Sequence, residues 1–184
     1  VDADNAVRGG YSAYDNSVRD NVLEVQNLPQ TGLNSAYGGE VAGRFGSVFG
    51  NTLDITGTDD HTASSPVTRT LTNAYGGAIT NANNAGTVGG LDENAGNSAT
   101  VSGGVVTNLY GGYTAGTGSV QNNDAAVEAG TVDSVYGGAV MNAGSAGTVG
   151  GENEYAGNTA EVNGGTVTNL YGGYTLGRGN VENN

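Results

Sequence analysis

The chain has 184 residues and a formal net charge of −13, with five arginines as its only Lys or Arg residues. Such a surface repels nucleic acid and anionic membranes, which excludes phosphate-backbone recognition as the main activity. Gly makes up 35 residues, Trp and Cys are absent, Phe occurs twice and Met once. That leaves too few large side chains for a conventional globular core and no disulfide framework. No run of 18 or more apolar residues is present, so no membrane insertion is expected.

In chain order, residues 1–7 (VDADNAV) are short and polar. Beginning at Val1 with no Met and no signal-peptide pattern, the sequence is expected to be a mature product or a segment of something longer. Arg8-Gly9-Gly10-Tyr11-Ser12 aligns with Tyr110-Gly111-Gly112-Tyr113-Thr114 as a degenerate first anchor. Full YGG anchors follow at Tyr37, Tyr75, Tyr110, Tyr136 and Tyr171, spaced 38, 35, 26 and 35 residues apart. The segment from Tyr37 contains GSVFGNTLDITG, the equivalent of GSVQNNDAAVEAG further on. An insertion over residues 58–68 (TDDHTASSPVT) then breaks the pattern and is expected to project as a loop.

From Ala74 onward the chain nearly repeats itself. Residues 74–123 match residues 135–184 at a constant offset of 61, without a gap. A fixed period of this kind marks a repeat architecture in which each unit buries its apolar face on its neighbours. The unit divides into a long and a short coil, giving about six coils of 26–38 residues in a single domain, 1–184.

The shortest coil, Tyr110–Val135, predicts three short strands. One runs from Tyr110 to about Thr114. One alternates Ala125, Val127 and Ala129 with Ala126 and Glu128, the period of a half-buried strand. The third is Thr131-Val132, with a corner at Asp133-Ser134 where alternation breaks. The long coils add AGTVGG and an acidic stretch, read as one extra outward loop. Asn122-Asn123 and Asn183-Asn184 occupy equivalent positions, so in-register stacking predicts amide ladders among them. The fold expectation is an all-β parallel β-helix, or β-solenoid, with three unequal faces that favour the right-handed form.

The motifs YGGYT-x-G-x-G-x-V-x-NN and SGG/NGG-x-V-TN-LYGG cover most of the chain from Gly9 onward. They resemble the YGG-type, Gly- and Asn-rich repeat arrays in passenger regions of bacterial autotransporter-like (type V secreted) surface adhesins. The resemblance implies secretion to the bacterial cell surface, a β-helical passenger, and an adhesive or structural role.

Four groups of residues are candidates for function. Tyr37, Tyr75, Tyr110, Tyr136 and Tyr171 form one predicted row, and Tyr11, Tyr113 and Tyr174 a second. The rings either cover one another at the coil spacing, about 4.8 Å, or offer an aromatic strip to a glycan or protein partner. Asp59, Asp60, Asp92, Glu93, Glu152 and Glu154 are weak calcium candidates, since Ca²⁺ takes several oxygen ligands. They fit no EF-hand or nonapeptide pattern, and no other cofactor is expected. His61 is the single histidine; with Ser64 or Ser65 and its Asp neighbours it lacks any sign of a fixed triad.

Enzymatic use of the scaffold is not expected. The carboxylates lie in loops that change between copies, Leu91-Asp92-Glu93 becoming Glu152-Asn153-Glu154, whereas hydrolysis needs a fixed pair. Thr70, Val106, Thr131 and Thr166 make no regular threonine face for ice binding. The leading expectation is a non-enzymatic adhesin or structural rod acting through repeated weak contacts. A second is a filament subunit that stacks head-to-tail through open ends, since neither terminus reads as capped. Joining the ends gives about 21 residues, short of the 26-residue coil. A third is a carbohydrate-binding module.

Overall fold

The computed structural model of the chain describes residues 5–29, 32–60 and 67–184. Val, Thr, Ile and Tyr favour pleated, half-buried backbone, and Gly and Asn supply the corners between such runs. All regular structure among the described residues is accordingly β.

The first coil comprises β1 (Ala6–Ser12), β2 (Val18–Arg19) and β3 (Val22–Val25). The second comprises β4 (Leu33–Val41), β5 (Val48–Phe49) and β6 (Thr52–Ile55), followed by the short strands β7 (Asp59–Asp60) and β8 (Val67–Thr68). The third is β9 (Thr70–Ile79), β10 (Val88–Gly89) and β11 (Ser98–Val101). The fourth is β12 (Val105–Thr114), β13 (Val120–Gln121) and β14 (Asp124–Val127). The fifth is β15 (Thr131–Val140), β16 (Val149–Gly150) and β17 (Thr159–Val162). The sixth has β18 (Thr166–Thr175) and β19 (Val181–Glu182).

Equivalent strands pair in parallel into three sheets, β1-β4-β9-β12-β15-β18, β2-β5-β10-β13-β16-β19 and β3-β6-β11-β14-β17. The chain is thus a parallel β-solenoid of six coils. Register places like on like: Tyr75 and Tyr136 flank Tyr110, and Val48 and Val120 flank Val88.

The interior is split into two apolar columns. Leu53, Ile55, Leu71, Val101, Leu109, Val127 and Val135 fill one. Val41, Val48, Ile79, Val88, Val120, Val140 and Val149 fill the other. A column of asparagines runs between them, described below.

Several strand boundaries differ from the sequence reading. The long strands start well before the Tyr, β12 at Val105 and β15 at Thr131. Asp133-Ser134 is therefore no corner. Side-chain parity does shift there, with Val132 and Val135 both buried, but pairing to both neighbours resumes at Ser134 and the strand only bends. Ala129 lies outside β14, before a turn at Gly130 with φ +92°. The real corner is there, where a left-handed φ suits glycine. The AGTV portion of AGTVGG is no added loop either, because Val88 stacks on Val48 and Val120 as the second-sheet strand of its coil. Long coils instead extend both flanking connections, at 80–87 and 90–97. The 58–68 insertion carries the antiparallel pair β7–β8 at its base. His61, Ser64 and Ser65 lie outside the described residues, as does the Asp60 side chain.

Candidate functional site

The outer face of the long sheet carries the tyrosines. Once Leu109 and Val135 point into the core, the next residue must point out. Tyr37, Tyr75, Tyr110, Tyr136 and Tyr171 stack with ring centroids 4.7–5.0 Å apart and planes within 9–11°. Four steps at the roughly 4.8 Å strand spacing make a ladder about 19 Å long. Tyr113 packs edge-on against Tyr75 and Tyr110 at 5.0 and 5.2 Å. Tyr174 does the same to Tyr136 and Tyr171 at 5.6 and 5.5 Å. The second row is not a continuous tyrosine column. Its register runs Tyr11, Glu40, Ala78, Tyr113, Ala139, Tyr174, so alanines leave room for the ring on the neighbouring coil.

This packing leaves Tyr37, Tyr75 and Tyr110 buried, with Tyr171 exposed at the C-terminal end. Burial of Tyr75 and Tyr110 pushes both hydroxyls well above the ordinary phenol range, and neighbouring tyrosines add to the shift. Tyr113 and Tyr136 are shifted in the same direction, chiefly by burial. These four phenols stay neutral, and because stacked rings cover one another's faces the strip offers ring edges and hydroxyl groups rather than open ring faces.

At the N-terminal end the Tyr column is continued by Arg8, which pairs with Tyr37 in register. Its guanidinium lies 5.2 Å from the Tyr37 ring centre and 4.9 Å from that of Tyr11, and forms a salt bridge with Glu40. Glu40 also accepts from the Thr80 hydroxyl at 2.8 Å. A buried carboxylate paired and hydrogen-bonded in this way is satisfied. Arg8–Glu40 thus closes one end of the ladder, a contact that two residues 32 positions apart in the chain did not reveal.

The asparagine ladder holds the waist between the two apolar columns. Its rungs are Asn21, Asn51, Asn97, Asn123, Asn158 and Asn184. The Nδ2 of each of the first five donates to the next Oδ1 at 2.7–2.9 Å, while Asn184 Nδ2 donates to the Val149 and Glu182 carbonyls at 3.0 and 2.8 Å. Each backbone N–H of the first five donates to the same oxygen at 3.1 Å. Asn122 and Asn183 are not rungs. They take left-handed φ of 56° and 52° and turn their amides to the carbonyls of Asp92 and Gly151. A left-handed residue at this corner aims only the following side chain inward, and Asn tolerates that conformation. The missed rungs Asn21, Asn51, Asn97 and Asn158 do carry a signal: each precedes the x-apolar-x-apolar run of a third-sheet strand.

The second glycine of each YGG is explained by this ladder. A Cβ on Gly39, Gly77, Gly112 or Gly138 would fall 2.4–2.5 Å from the Cγ of Asn51, Asn97, Asn123 or Asn158. Only glycine lets the long sheet approach the waist so closely.

The acidic candidates are dispersed. Asp92 and Glu93 lie in the 90–97 connection of coil three, and Glu152 and Glu154 in its counterpart in coil five, with coil four between them. No group of three or more His, Cys, Asp or Glu positioned to hold a metal occurs among the described residues. Asp59 lies at the base of the β7–β8 pair, away from both loops in sequence and coil. No family model matches the chain, and neither a curated protein nor a solved structure matches it.

Proposed function

We propose that the chain is a non-enzymatic, secreted segment of a bacterial surface β-solenoid, acting as an adhesin or structural passenger through repeated weak contacts. The observation that carries this reading is the ladder of stacked tyrosines along one outer face, repeating at the coil spacing. Its exposed member is Tyr171, with Tyr136 partly exposed, and beside it the second row adds exposed Tyr11 and the partly exposed Tyr113 and Tyr174. Tyrosine joins an apolar ring face to a hydroxyl, the combination that meets the C–H face and hydroxyls of a sugar. With a net charge of −13, the partner that suits this surface is a neutral glycan. Repetition on a stiff rod raises avidity without a strong single site. The resemblance of the YGGYT…NN units to autotransporter-like passengers supports the surface location.

Binding of the whole chain to immobilised neutral glycans, measured by surface plasmon resonance, tests the reading. Tyr113→Ala with Tyr174→Ala should weaken avidity more than tenfold while leaving the β signal in circular dichroism unchanged. Unaltered binding by this variant, or turnover of a polysaccharide by the wild type, overturns it.

A further inference from the structure

The flanks of the solenoid differ in charge. The connections from the first sheet to the second, among them 42–47, 80–87 and 176–180, build one flank. Its charged residues are Arg44, Arg178 and Asp15, so it is net positive on a chain of net charge −13. The connections from the second sheet to the third, chiefly 90–97 and 151–158, build another. It carries Asp20, Asp92, Glu93, Glu152 and Glu154 and no Arg. Both arginines of the first flank and all five carboxylates of the second are exposed.

Each flank also exposes a large apolar side chain: Phe45 at 61% on the first, Leu91 at 50% and Tyr155 at 42% on the second. Coils two, three and five, which carry them, each have a coil on both sides, so stacking along the axis does not cover them. The backbones that present them are pinned. The N–H groups of Arg44 and Phe45 both donate to Asp15 Oδ1, at 3.1 and 3.2 Å, which also engages the one carboxylate of that flank. Asn122 holds both acidic loops: its Nδ2 donates to Asp92 O at 2.8 Å and its N–H to Ala156 O at 3.1 Å. Tips fixed before contact lose little freedom on association.

We infer that the partner of each flank is the opposite flank of a second copy, the two rods lying side by side. Charge selects this occupant: the acidic loops of the chain complement its own basic flank, and two acidic flanks would repel. Arg44 then faces the carboxylates of one acidic loop, and Phe45 packs on the Leu91 or Tyr155 that the loop exposes. The two loops hold equivalent places in coils three and five, about 9.6 Å apart along the axis, so a slide of two coils exchanges one for the other. The contact is heterologous and leaves one flank of each copy free. Copies therefore add into open rows rather than closing as a dimer. Neither end of the solenoid takes part. Exposed ion pairs are individually weak and the net charge of −13 opposes approach, so association is reversible and dependent on concentration.

Sedimentation velocity from micromolar to near-millimolar chain tests the contact by charge exchange. The wild type should grow in mass with concentration. One variant carries Arg44→Glu and Arg178→Glu; a second carries Asp92→Lys, Glu93→Lys, Glu152→Lys and Glu154→Lys. All six positions are exposed, so circular dichroism should not change. Each variant alone should need roughly five- to tenfold higher concentration for the same growth, the second in spite of its smaller net charge. An equimolar mixture pairs reversed flank with reversed flank and native with native, and should associate like the wild type. The chain has no Cys, so introduced thiols report the contact directly. Under a mild copper(II) oxidant, Phe45→Cys mixed with Tyr155→Cys or with Leu91→Cys should form the mixed disulfide at least fivefold faster than any of these variants links to itself. A wild type that stays monomeric throughout, single charge variants that associate normally, a mixture that gains nothing over its components, or self-linking as fast as mixed linking would each overturn the assignment.

Discussion

Replacing one central rung, Asn123→Ala, isolates what the buried amide ladder contributes. Asn123 is 1% exposed, so water cannot substitute for the lost side chain. Its Oδ1 accepts from Asn97 N–H at 3.1 Å and from Asn97 Nδ2 at 2.8 Å. Its Nδ2 shares two hydrogens among Asn158 Oδ1, Val88 O and Gln121 O at 2.9–3.1 Å. Alanine leaves the Asn97 N–H buried and orphaned, at about 1–3 kcal/mol, and removes further bonds at about 1 kcal/mol each. The expected loss is about 3–5 kcal/mol, a large part of the roughly 5–15 kcal/mol that holds a typical domain folded. Asn184→Ala removes equivalent bonds to Asn158 at 3.1 and 2.7 Å, but at an exposed rung where water takes over. It should cost no more than about 1 kcal/mol. Urea unfolding followed by far-ultraviolet circular dichroism compares the two midpoints. If Asn123→Ala falls within about 1 kcal/mol of the wild type, or no further than Asn184→Ala, the ladder is not a stabilising waist and the reasoning fails.

The same packing makes further predictions. Gly112→Ala drives a Cβ to 2.5 Å from Asn123 Cγ, a pinned side chain with nowhere to move; it should cost about 3 kcal/mol, read from the same urea midpoint. Tyr110→Ala removes two stacks, at 5.0 and 4.7 Å, from a buried position and should cost about 3–5 kcal/mol in thermal unfolding, with Tyr171→Ala costing less than half of that. Alkaline pH should unfold the chain. Tyr75 and Tyr110 hold their protons in the folded state far above the value of about 10 at which an unfolded chain releases them. The stability from these two groups is therefore complete below pH 10 and declines as pH rises beyond it. Absorbance of phenolate near 295 nm should show these tyrosines ionising together with loss of β structure; ionisation of all ten tyrosines in an intact fold would contradict the burial argument.

The coil count and the main tyrosine column could be read from spacing, because every YGG is an unbroken local string. The asparagine ladder was half legible. Asn123 and Asn184 stood out in a repeated pair, but the pair also drew in Asn122 and Asn183, which are identical in type and opposite in direction. Which of two adjacent asparagines points inward depends on the left-handed φ at the first of them. Asn97 and Asn158 were hidden by the 90–97 and 151–158 connections, which put a long stretch between the second-sheet strand and the rung. The bend at Asp133-Ser134 was misread as a corner because alternation alone does not distinguish a parity shift within a strand from the end of one.

What the sequence by itself determined is the identity of the columns and the number of coils. A parallel in-register stack sets each repeat on the last, so periodicity in the chain becomes a column in space. Tertiary structure decided which columns are walls, waist and surface. The glycine at position 112 has meaning only beside Asn123, and Leu170 is exposed only because no coil lies over it, although Val135 in the same column is buried. Those outcomes rest on distances between coils some 26 to 38 residues apart, which local pattern does not encode.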